Sequence, residues 1–158
     1  MQLSPHFSLE ELSLSSTAAR HGIDNTPPPE AVTELTRLCE TILEPLRTFL
    51  NAPLHIDSAF RCLAVNTLVK GAKTSQHMLG QAADVIPVGW DLKVALAKIR
   101  LSDLPFDQLI FECGAWIHIS CAALGATPRR MVLIGSLVDG KWVYTPFKAG
   151  SPADTAQS

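Results

Sequence analysis

The segment at residues 75–85, SQHMLGQAADV, sets His77 and Asp84 seven positions apart among mostly small or apolar neighbours. Neutral imidazole and carboxylate are both good zinc ligands, and a catalytic zinc takes three protein ligands and leaves a fourth position for water. The segment therefore reads as half of a metal site. A third ligand is expected from WIHIS, residues 116–120, where His118 stands at the centre of a short apolar run. An imidazole in such a place must otherwise find a buried hydrogen-bond partner. Each signal also has an ordinary reading: a lone histidine in an apolar run is commonly a satisfied core residue, and an aspartate before a hydrophobic pair is commonly a strand-end cap.

Two further groups could do chemistry beside these. PLHIDSAF, residues 53–60, alternates as a strand, with Leu54, Ile56 and Ser58 on one face and His55 and Asp57 on the other, and it delivers Arg61 to the strand end. A guanidinium can hold a carboxylate with two parallel hydrogen bonds, which a peptide C-terminus or a tetrahedral oxyanion would match; a structural ion pair is the alternative. Glu112 closes the apolar run FDQLIFE. If Cys113, Gly114 and Ala115 form a three-residue hairpin turn, Glu112 faces Trp116 and lies on the sheet face of His118, at a diagonal distance of roughly 7 Å.

The elements that must carry these residues begin with a capping box. Ser8 and Glu11 start a short helix at about Leu9, with Phe7 and Leu12 at staple positions. TAARHGIDNTPPP is turn-rich and expected to wrap the surface. The main core helix follows, with Thr26 as N-cap, prolines in its first turn, and Val32, Leu35, Leu38, Ile42, Leu46 and Phe49 at helical spacing. Pro45 removes one backbone bond and should kink its last turn. A helix over residues 64–70 should end at Gly71 in a left-handed conformation. VIPVG closes a strand after Asp84, and Asp91 caps a helix with an apolar face of Val94, Leu96, Ala97 and Ile99. MVLIGSLV and KWVYTPF flank Asp139-Gly140, the strongest two-residue hairpin signal in the chain. The expected class is α+β, an antiparallel sheet with helices packed on one side.

Composition narrows the function classes. At 158 residues the chain suits one domain, expected over residues 1–147 with a disordered tail at 148–158. An apolar fraction of 47% with 18% charged residues is globular, and a net charge of -2 leaves no electrostatic footprint for nucleic acid. There is no apolar run long enough to span a membrane. MQLSPHFSLEEL lacks a basic start and an apolar core, so no signal peptide is expected and synthesis in the cytosol follows. Cys39, Cys62, Cys113 and Cys121 lack C-x-x-C spacing and read as free thiols, with a cysteine-ligated zinc the poorer alternative. A monomer is expected.

Taken in order, SAFRCLAVNTLVKGAKTSQHMLGQAADV, FDQLIFE and WIHIS resemble the zinc D-Ala-D-Ala carboxypeptidase family, which includes phage endolysins and bacterial cell-wall peptidases. The family pattern S-x-H-x-x-G-x-A-x-D is matched by Ser75, His77, Gly80, Ala82 and Asp84, and its later W-x-H by Trp116 and His118. Upstream, S-x-[YF]-R with a following Asn is matched by Ser58, Phe60, Arg61 and Asn66. The similarity runs from about Phe7 to Ser120.

The resemblance implies the fold shared with Hedgehog signalling domains, one Zn2+ held by His77, Asp84 and His118, and hydrolysis of the peptide stem of peptidoglycan. Zinc would acidify its water and polarise the scissile carbonyl. Glu112 would take the proton and return it to the leaving amine, Arg61 would anchor the substrate or stabilise the oxyanion, and Ser75, Gln76 and Trp116 would line the site. Many members carry E-x-x-H, and that Glu position is Ala115 here, so the base role of Glu112 stands on the hairpin register; His55 and Asp57 are the nearest substitutes. Carboxypeptidase and endopeptidase members share these motifs. The resemblance also implies action on the cell wall after release from the cell, through a holin if the chain is a phage lysin. The other reading is a zinc-stabilised binding or phage structural module of the same fold, since fold does not fix activity.

Overall fold

The computed structural model describes residues 1–148, so the expected tail lies, from residue 149 onward, outside the described residues. The chain opens with a small antiparallel pair, β1 (Gln2–Ser4) and β2 (Phe7–Ser8), and the short helix α1 (Leu9–Ser13). Ser8 caps α1 by accepting from the Glu11 amide, as the capping box requires. The turn-rich segment expected next instead contains α2 (Ser16–His21), whose N-cap Ser15 accepts from the Ala18 amide and whose C-cap is Gly22 in the left-handed region. Ser15 and Gly22, seven positions apart, are the cap signals that make a helix of this polar stretch.

The core helix starts two residues later than a Thr26 cap implies. α3 (Pro29–Leu38) has Pro28 at its N-cap, and Thr26 bonds Asp24 instead. It runs through a π-helical turn (Cys39–Leu43) into α4 (Glu44–Leu50). The widened turn lies directly ahead of Pro45, whose missing N–H and bulky ring would break an ordinary helical ladder, so the proline is absorbed by a bulge within the helix. Leu35, Leu38, Ile42 and Leu46 are fully buried along this face.

The main sheet has six strands in the order β3-β4-β6-β5-β7-β8: β3 (Leu54–Ser58), β4 (Ala82–Pro87), β5 (Phe106–Glu112), β6 (Trp116–Cys121), β7 (Met131–Val138) and β8 (Lys141–Pro146). The class is α+β, and the sheet is mixed: β7 leaves the expected antiparallel pattern by pairing parallel with β5. The other pairings are antiparallel. Residues 122–130 carry the chain past β5 to make that parallel pair, a long connection with no local signature in the sequence.

Alternation across the sheet divides the labour. Ala83, Val85, Leu109, Ile117 and Ile119 are fully buried in the core with α3, α4 and α6 (Leu92–Arg100). Their neighbours Asp84, Glu112, Trp116 and His118 point to the opposite face, because successive side chains alternate. α6 is capped by Asp91, whose side chain accepts from Lys93 and Val94, and it buries Ala95, Leu96 and Ile99; Val94 and Ala97 lie at the margin of that face. α5 (Leu63–Leu68) ends with Lys70, not Gly71, in the left-handed conformation. Gly71 is needed for a different reason: a Cβ there would lie 2.1 Å from the Asn66 amide oxygen.

Candidate metal centre and cleft

Asp84 and His118 are register partners on adjacent strands β4 and β6, which puts two candidate ligands directly opposite one another on the same face. His77 arrives from outside the sheet, on a single 3-10 turn (Gln76–Leu79) capped by the Ser75 hydroxyl, which accepts from the His77 amide. Gly80 closes that turn at φ 74°, and a Cβ there would stand 2.5 Å from the Ala31 carbonyl of α3. The G of the motif thus lets the turn lie flat against the core helix.

Three donor atoms converge. His77 Nε2 is 3.1 Å from His118 Nδ1 and 3.2 Å from Asp84 Oδ1, and His118 Nδ1 is 3.0 Å from the same oxygen. His77 Nδ1 lies 2.6 Å from the Ala59 carbonyl, which can only accept, so this nitrogen carries the proton. Burial holds His77 below its ordinary pKa; Asp84 opposes this, while Arg61 and His118 add to it. A neutral ring protonated on Nδ1 aims the bare lone pair of Nε2 at a carboxylate oxygen. That contact is repulsive unless a cation sits between the groups, and the donor set of two imidazoles and one carboxylate is one that zinc takes. The triangle also has the right size: ligand atoms 2.0–2.1 Å from a tetrahedral ion are separated by roughly 3.3 Å. Among the described residues this is the cluster that brings three such ligand atoms within 4.8 Å of one another. The four cysteines are free and give the cysteine-ligated alternative no geometry.

Arg61 sits behind Asp84. Its Nη2 donates to Asp84 Oδ2 at 2.5 Å and its Nε to the Ser58 hydroxyl at 2.9 Å. The Asp84 carboxylate is therefore split, with one oxygen turned to the imidazoles and the other held by the guanidinium. Burial opposes ionisation of Asp84, but the two histidines outweigh it and hold the group well below the usual carboxylate range. Arg61 is in the cleft, as its strand-end position implied, yet the carboxylate it holds is the protein's own, and through one nitrogen.

The turn expected after Glu112 is present. Cys113 and Gly114 take positive φ, the Ala115 amide donates to the Glu112 carbonyl, and Glu112 pairs with Trp116. Glu112 is buried, and its Oε2 accepts from Trp116 Nε1 at 2.9 Å. Burial raises its pKa, the charge of Asp84 adds to this, and His118, Trp116 and Arg61 oppose it.

One cavity of about 560 Å³ is lined by Arg61, Ser75, Gln76, His77, Asp84, Glu112, Trp116 and His118 together, so the structure brings every sequence-derived site residue to one place. Gln76 is partly committed there: its amide nitrogen donates to Asp107 and to the Cys121 carbonyl. Asp57 reaches the rim, while His55 lies on the exposed face of β3 and does not line the cavity. Trp142 and Tyr144 of β8, Leu133 of β7 and Arg129 also line it and were missed. The distant pairing of β7 with β5 brings Leu133, Trp142 and Tyr144 there, while Arg129 is held by the Asp107 carboxylate of β5, and neither contact leaves a local trace.

A search of the curated proteins matched none. The sequence profile described as Peptidase M15 matches residues 5–120, most of the chain and the whole span that carries the convergent ligands. With those ligands, their spacing and that match in agreement, the chain belongs to the peptidase M15 family of zinc peptidases.

Proposed function

We propose that this protein is a zinc peptidase that cleaves the peptide stem of peptidoglycan, as a D-Ala-D-Ala carboxypeptidase or endopeptidase. The observation that carries this reading is the convergence of His77 Nε2, Asp84 Oδ1 and His118 Nδ1 in the same cavity as a buried carboxyl, Glu112. The zinc ion, when bound, would supply a Lewis acid that polarises the scissile carbonyl and acidifies water. Glu112 takes a proton from the attacking water and returns it to the leaving amine; its burial raises its basicity toward that task. Trp116 holds one carboxylate oxygen by its indole N–H and so fixes which face of Glu112 is free. Arg61 holds Asp84 in place and leaves its remaining edge to the cleft, while Ser75 sets the turn that aims His77.

Residues 1–147 serve as one peptidase domain in this reading, because β7 and β8 complete the sheet that carries the ligands. Synthesis in the cytoplasm and access to the wall after release, through a holin in a phage lysin, belong to the same proposal. A neighbouring holin gene would favour it, and a neighbouring tail gene would favour a non-catalytic structural module.

The test is incubation of the zinc-loaded protein with purified muropeptide stems, with products identified by mass. Cleavage that stops on chelation and returns with zinc is the expected result. Intact stems at one zinc per chain would overturn the peptidase reading in favour of a binding module.

A further inference from the structure

Beyond the span matched by the family profile, β7 and β8 place a row of side chains across four strands: Trp116 on β6, Glu112 on β5, Gly135 on β7 and Tyr144 on β8 are successive register partners. The glycine makes the row possible. A Cβ at Gly135 would stand 3.0 and 3.2 Å from the Tyr144 ring and 3.3 Å from Glu112 Cγ, so the ring lies down over the bare backbone beside Glu112. Glycine weakens a strand interior, and in an otherwise apolar strand it marks a place where another group must approach closely. Trp142, two residues earlier on the same face, stacks on Tyr144 with ring centroids 6.1 Å apart and planes within 12°. Both rings line the cavity that holds the metal-ligand triangle, yet Tyr144 remains 44% exposed toward it.

A hairpin that only needed to close the sheet would not keep two large rings on the cleft side. We propose that Tyr144 is a substrate-contacting residue of this site, its hydroxyl donating to a carbonyl of the bound stem peptide while the Trp142–Tyr144 faces support the peptide's chain. Such a pair gives a peptide a rigid apolar wall with one polar tip, at small cost in side-chain entropy. Burial, with the charges of Glu112 and Asp84, pushes the Tyr144 phenol up to about 12, so it stays a donor throughout the neutral range. This assignment rests on the stem peptide being the ligand of the cleft.

The experiment reads binding and turnover separately. Calorimetry with a synthetic stem pentapeptide is run on the zinc-loaded Glu112→Gln protein, alone and with Tyr144→Phe, Trp142→Ala or Gly135→Ala, and kinetics are run on the same changes in the wild-type background. Tyr144→Phe keeps the ring and should lower kcat/KM on the order of tenfold, the size of one hydrogen bond, with zinc content and Tm unchanged. Trp142→Ala should weaken binding and raise KM more than it lowers kcat. Gly135→Ala should reproduce the Tyr144→Phe loss by lifting the ring. A wild-type protein that binds the peptide without cleaving it would remove the peptidase reading and leave this assignment to the binding data. Tyr144→Phe and Trp142→Ala variants that both match the parent in affinity and kcat/KM would overturn it, as would a parent that does not bind the peptide.

Discussion

Arg61 donates from Nη2 to Asp84 Oδ2, the oxygen that the two imidazoles leave unused. A group that orients a metal-binding carboxylate in this way sets how tightly the metal is held, and its loss typically costs about 10- to 100-fold in metal affinity. Arg61→Ala is therefore expected to weaken zinc binding by that factor, and Arg61→Lys to recover only part of it, since one ammonium cannot span Asp84 and Ser58. Competition titrations with a zinc chelator measure this. An unchanged zinc affinity with a raised KM would return Arg61 to the substrate side.

Removal of any one ligand, as in His77→Ala, Asp84→Ala or His118→Ala, should abolish stoichiometric zinc. Binding to the folded state alone also stabilises it: zinc at 100 times its Kd should add about 2.7 kcal/mol. The wild type should therefore melt higher with zinc, and the three variants should not respond. Elemental analysis beside thermal melts decides the point, and full zinc in all three variants would place the metal elsewhere.

Gly80→Ala tests the turn that carries His77. A left-handed conformation costs an alanine about 1–2 kcal/mol, and the close approach to the Ala31 carbonyl adds to it. The expected result is a lower Tm together with weaker zinc binding, because the turn must lift away from α3. A variant as stable and as well metallated as the wild type would mean that this packing is unimportant.

The motif order made the three ligands and Glu112 legible in the sequence, because each lies next to a local signal: Gly80 three residues after His77, Ala82 two before Asp84, Trp116 two before His118, and a three-residue turn after Glu112. The pairing of Asp84 with His118 was not legible, since strand partners distant in sequence are chosen by burial and closure of the whole sheet. The same reason hid the parallel β5–β7 pair and, with it, Tyr144. Arg61 was placed at the right strand end, but its partner depended on which carboxylate the sheet would bring beside it. Pro45 announced an irregularity whose form, a π turn ahead of it, is decided by the buried face that α3 and α4 share.

Glu112→Gln separates chemistry from structure. The amide oxygen can still accept from Trp116 Nε1, so the turn and the cleft should keep their shape. Turnover should fall by about 100- to 10,000-fold through loss of the proton acceptor, with zinc unchanged. Burial raises the Glu112 pKa above its ordinary 4.5. A carboxyl raised on folding favours the folded state fully below its unfolded value, and that contribution is lost as pH rises through the folded value. At pH 8 the wild type therefore carries a buried charge that the Gln variant lacks, and the metal-free variant should melt at the same temperature or higher. At pH 4, where the carboxyl is protonated in the folded state, that advantage should vanish. An active Gln variant would move the base role to another group, Asp57 at the cleft rim being the next candidate.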